Sequence, residues 1–157
     1  MNTLRTYPGN GRAFRLPLFL ALLFASGAIA VADGGADLTF QGDASFNGPH
    51  GDQAIQVALV NTDTGEVVAR ESGTVSGADD PAFSFTFADA LKADTAYEVH
   101  YWIDSNFGGG SAGSCDPSNN DHQWRVALDM ASEAVTHTES HDPSRLGDVC
   151  DTFAGAM

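Results

Sequence analysis

Apolar and polar residues alternate with period two over one short run after another, the repeat of a strand that lays one face on a core. Phe83-Ser-Phe-Thr-Phe87 is the cleanest case, with phenyl rings on one side and hydroxyls on the other. Ile55, Val57 and Leu59 repeat the pattern within Gln53–Val60, and Glu66–Glu71 returns as its partner after the turn Asn61-Thr-Asp-Thr-Gly65. Leu38-Thr-Phe40 opens an earlier strand whose alternation extends to Phe46. Over Tyr97–Asp104, Tyr97, Val99, Tyr101 and Ile103 face one way while Glu98, His100 and Trp102 face the other. Over His122–Asp129, the residues His122, Trp124, Val126 and Leu128 share a face, and Ala134–Thr138 adds a short strand. Ala88–Asp94 reads as a helical turn or a tight connection. About seven short strands, frequent turn signals and no long amphipathic helix predict an all-β fold, a single antiparallel β-sandwich of immunoglobulin-like or transthyretin-like kind. Tyr97 suits the tyrosine that ties an incoming loop to a late strand in such sandwiches.

The first 32 residues break this pattern. Arg5, Arg12 and Arg15 precede an uncharged apolar run from Leu16 to Ile29, and Ala30-Val31-Ala32 supplies the small-x-small cleavage signature. Residues 1–32 are therefore expected to be a cleaved signal peptide, and residues 33–157 a domain exported to the periplasm, cell surface or medium. Three of the seven basic residues are leader arginines, which leaves four against all 21 acidic ones, a formal charge of −17. Such a surface argues against nucleic acid, whose counterions are displaced by Lys and Arg, and against anionic membranes. It suits a solvated acidic coat or the attraction of cations. Cys115 and Cys150 are the only cysteines. In an oxidising compartment they have one possible intramolecular pairing, a disulfide tethering the C-terminal tail to the central loop.

That loop, between Asp104 and Asp121, is the richest in candidate chemistry. Asp104, Asn106, Asp116 and Asp121 are hard oxygen donors of the kind calcium prefers, although they reproduce only the first half of a calcium-loop motif. The competing reading is a polar loop whose Asp and Asn side chains cap turns. Enzyme signatures are missing: there is no Gly-x-Ser-x-Gly or His-Glu-x-x-His, and Gly108-Gly-Gly110 leads into no helix and carries no Lys. A non-catalytic protein is expected.

Histidines at strand ends offer another possibility. His50, in Pro49-His-Gly-Asp-Gln53, precedes one strand, and His122, in Asp121-His-Gln-Trp124, begins another. Imidazoles from separate strands can converge at one rim of a sandwich, and two or three of them suit copper or zinc. Asp121 would orient an imidazole from behind and Trp124 would shield the site. His100 reads as a sheet residue, and His137 and His141 as residues of an acidic tail.

Pro49-His50 with Gln53, Tyr97-Glu-Val99, Asp104-Ser-Asn106 and Asp121-His-Gln-Trp-Arg125 are together similar to segments of the surface-associated copper-binding proteins of methanotrophs. The resemblance implies a copper site on His50 and His122. In those proteins an oxidised tryptophan completes the site; here Trp102 or Trp124 would have to serve, or another ligand takes that place. The alternatives are a metal-free binding or structural module of the cell envelope, and a calcium-stabilised extracellular domain.

Overall fold

The computed structural model describes residues 34–154, so the expected signal peptide lies outside the described residues. Seven strands form: β1 (Ala36–Gly42), β2 (Ala54–Asn61), β3 (Val67–Thr74), β4 (Phe83–Leu91), β5 (Tyr97–Ile103), β6 (His122–Ala127) and β7 (Val135–Glu139). They make a three-stranded sheet in the order β4-β1-β7 and a four-stranded sheet in the order β3-β2-β5-β6. This is the all-β sandwich that the alternation predicts. One pairing departs from the antiparallel rule: β7 lies parallel to β1, with Leu38 opposite Val135 and Gly42 opposite Glu139.

The inward faces are those that period two assigns. Leu38, Phe40, Phe83 and Phe87 from one sheet meet Ile55, Val57, Leu59, Val99, Tyr101, Ile103, Trp124 and Val126 from the other. Each fully buried side chain of this size contributes about 1.5–3 kcal/mol of transfer free energy. Tyr97 ties its corner as expected, its hydroxyl accepting from the Lys92 N–H at 3.2 Å. Ala88–Asp94 is no helical turn: β4 continues to Leu91, because Ala90 and Leu91 have core to bury against.

The first strand also ends sooner than its alternation suggests. It stops at Gly42, where a Cβ would stand 2.4 Å from the Phe83 ring. Asp43 then caps a 3-10 turn, Ala44–Phe46, by accepting from the Ser45 N–H. This swings Phe46 fully into the core and leads into a single α-turn, α1 (Asn47–His50).

A second, smaller core lies on the outer face of the four-stranded sheet. Ala58, Val60 and Trp102 pack there against Val149 and Phe153 of the C-terminal strap, which ends in α2 (Cys150–Phe153). The strap is also pinned by polar contacts. Buried Gln123 accepts from the Val149 N–H at 2.7 Å and donates to the Asp116 carbonyl at 2.6 Å. Arg125 donates twice to the Asp148 carbonyl, at 2.9 and 2.7 Å. Cys115 and Cys150 form the expected disulfide. Among the described residues no helix is long and apolar enough to cross a membrane.

Candidate metal centre

His50 closes the turn α1 and is fully buried. The next residue must be small, since a Cβ on Gly51 would meet the Asn47 carbonyl at 2.7 Å and the Gly77 backbone at 2.8 Å. His122 opens β6, opposite Ile103 of β5. The two imidazoles, 72 residues apart in sequence, meet with His122 Nδ1 3.1 Å from His50 Nε2.

A third joins them. His141 Nε2 stands 3.5 Å from His122 Nδ1, and one nitrogen from each of the three rings lies within 4.8 Å of the others. His141 is no loose tail residue. It follows β7 by two positions, its own N–H donates to Ser45 Oγ at 2.8 Å, and the next carbonyl accepts from the Trp124 indole N–H at 3.0 Å. Its placement rule is the one that singles out His50 and His122, a histidine beside a strand end. What brings it to the rim is the parallel docking of β7 on β1, which carries the chain just after Glu139 up to Ser45.

The protonation pattern suits metal binding. His50 Nδ1 faces Gln53 Oε1 at 2.8 Å. An amide oxygen only accepts, so Nδ1 carries the proton and Nε2 presents its lone pair to the cluster. Burial pulls the His50 pKa down to about 4, helped by the neighbouring His122 and His141 and opposed by Gln53. Burial lowers His122 and His141 as well, with the charge of His141 adding to the effect on His122. All three rings are thus kept in the neutral form that ligates.

The spacing fits an ion. Two nitrogens about 2.0–2.1 Å from one ion and roughly 100–120° apart stand about 3.1–3.6 Å from each other. The His50–His122 and His122–His141 nitrogen separations, 3.1 and 3.5 Å, lie in that range. The donors are all imidazole, with no thiolate or carboxylate among them, which suits copper, zinc or nickel and not the hard cations calcium and magnesium.

Trp124 stands at the foot of the cluster, its ring 5.5, 5.9 and 6.1 Å from those of His122, His141 and His50. Trp102 does not. It is on the opposite face of β5, 6.3 Å from the Phe153 ring, because period two sends it outward while the neighbouring Tyr101 turns inward to stack on Trp124. The other histidines have separate partners: His100 contacts Thr152 and Glu98, and His137 contacts Glu139.

The residues of the expected calcium loop come together differently. Asp121 is fully buried, and its carboxylate accepts from the N–H groups of Ser105, Asn106 and Asp116 at 2.9–3.0 Å. It orients no imidazole. Asp104 accepts from the Gly113 N–H and from the Asn106 amide, and Asp116 accepts from the Ser111 N–H. Asn106 Oδ1 is buried without a partner. Carboxylates engaged in this way brace the loop, and among the described residues the three histidines are the only group of His, Cys, Asp and Glu ligand atoms that converges.

No protein-family model, curated protein or solved structure matches the chain.

Proposed function

We propose that this chain is an exported, non-catalytic copper-binding protein whose ion is held by His50, His122 and His141. The observation that carries the reading is the meeting of three neutral imidazole nitrogens from three separate segments at one rim of the sandwich. Copper is favoured over zinc by the likeness of the Pro49-His50, Gln53 and Asp121-His-Gln-Trp-Arg125 segments to methanotroph surface-associated copper-binding proteins. His141 takes the third place that an oxidised tryptophan has in those proteins. Export is supported by the leader pattern of residues 1–32 and by a disulfide, a bond of non-reducing compartments.

The test is direct. The protein is expressed with its leader, recovered from the exported fraction and sized by mass spectrometry, with Asp33 expected at the new N-terminus. Copper, zinc and calcium are then titrated against competing chelators, beside His50→Ala, His122→Ala and His141→Ala. Copper should bind tightest, and each variant should lose about 100-fold or more in affinity, since ligand loss costs more than the 10–100-fold of an outer-shell change. Equal copper retention by all three variants would remove the site, and a metal-free envelope module would be left. Stronger zinc than copper binding, beyond the usual divalent order, would change the ion.

A further inference from the structure

The histidine cluster is closed on its inner side and bordered on its outer side by one exposed aromatic ring. Inside, Trp124 is 1% exposed and lies against all three imidazoles, while buried Phe46 stands 6.2 Å from His50 and 5.5 Å from His141. Outside, the Phe107 ring is 4.9 Å from His122 and 5.7 Å from His50. Phe107 is 44% exposed, one of three large apolar side chains that the described residues leave in solvent.

Leaving a phenyl in water forgoes stabilisation, and the backbone works to hold it there. The Phe107 N–H donates to the Asn120 carbonyl at 2.9 Å. Asn106 before it is left-handed, with φ 52°, and Gly108, Gly109 and Gly110 after it have φ of 125°, 124° and 135°, a conformation that side chains resist. Asp121 clamps the preceding two amides. Among the described residues no fourth His, Cys, Asp or Glu ligand atom joins the three histidines, which leaves room for a further ligand from solution.

We propose that Phe107 is the residue that selects which exogenous ligand reaches the metal, passing small linear anions and diatomic molecules and rejecting planar or branched ones. The inference rests on the reading of the triad as a copper site. A phenyl seated against two of the three imidazoles narrows the way to an ion held between them, so that a slender ligand would pass and a ring-shaped one would collide with it. Selection by collision needs no attractive contact with the admitted ligand.

The experiment uses the copper(II)-loaded protein, Phe107→Ala and Phe107→Leu, each first checked for fold by circular dichroism and for copper affinity by chelator competition. Azide and imidazole are titrated in, followed by charge-transfer absorption and electron paramagnetic resonance. Imidazole should bind Phe107→Ala at least about tenfold more tightly than the wild type, with azide unchanged within about threefold. Phe107→Leu should stay near the wild type, because the bulk is nearly kept. A wild type that takes up no copper overturns the site reading. Three proteins that load copper equally and bind imidazole equally overturn the selection alone. Loss of copper affinity in Phe107→Ala would make the ring a support of the ion and overturn its role as a selector.

Discussion

His50 concentrates the chemistry of the site in one side chain. It is fully buried, donates one ring proton to Gln53 and presents its other nitrogen to two imidazoles. Gln53→Leu keeps the bulk and removes the acceptor, so copper affinity should fall about 10–100-fold by chelator competition, with little change in far-ultraviolet dichroism. Acidity acts through the same residue. Its folded pKa of about 4 lies below the ordinary 6.5, so between those values the unfolded chain takes up a proton that the native chain refuses. Stability of the metal-free protein should be full above about pH 6.5 and decline as pH falls towards 4, with His122 and His141 acting in the same direction. Urea midpoints at pH 7.5 and pH 5 check this; a midpoint that rises on acidification would contradict it. Copper should stay bound at pH 5–6, where an ordinary imidazole would be charged.

At the scale of elements, two irregular segments flank the sandwich and are covalently joined. The loop from Asp104 to Asp121 carries Phe107, the strap carries Val149 and Phe153, and the Cys115–Cys150 bond links them across a separation of 35 residues. Replacing both cysteines with serine should cost about 4 kcal/mol by the chain-entropy relation, read as a lower thermal midpoint. Copper affinity should change less, because His141 is fixed by its own contacts to Ser45 and, through the next carbonyl, to Trp124. Asp121→Ala should lower the thermal midpoint as well. It leaves three backbone N–H groups without their acceptor, at about 1–3 kcal/mol for each that stays buried, and frees the ring of Phe107 to leave the imidazoles.

These elements also mark what the sequence could and could not disclose. Strand faces were legible because period two is imposed by the backbone itself, and Trp124 and Val126 follow it into the core. The convergence of His50 and His122 followed from both lying at strand ends. His141 was hidden because its position depends on β7 pairing in parallel with β1, a contact between distant ends of the chain that no local pattern records. Residue type alone suggests Trp102 for the site, whereas its alternation points it outward, to Val149 and Phe153 of the strap. The aspartates had the right chemistry for calcium, and only the fold shows that their lone pairs are engaged by amides.

The whole molecule adds a field to the local geometry. Residues 33–157 carry four basic residues against 21 acidic ones. Two of the four, Arg70 and Arg125, donate to backbone carbonyls of the strap, at Thr152 and Asp148. A cation approaching the rim is therefore drawn by a strongly negative surface, and salt weakens that pull. Copper(II) capture, followed by quenching of Trp124 in a stopped-flow instrument, should slow severalfold between about 10 mM and 150 mM sodium chloride, as the screening length shrinks from about 30 to 8 Å. An unchanged rate would mean that the overall charge plays no part in capture.

The side-by-side docking of β7 on β1 sets the order in which the centre can be completed. Made from its N-terminus, the chain presents residue 50 first, then residue 122 and last residue 141, and the third imidazole arrives only when the final strand zips onto the first. A metal ion met before that point would find an unfinished claw, and firm chelation would begin at closure. A version ending at Glu133 should accordingly release copper to chelators that the full-length protein withstands.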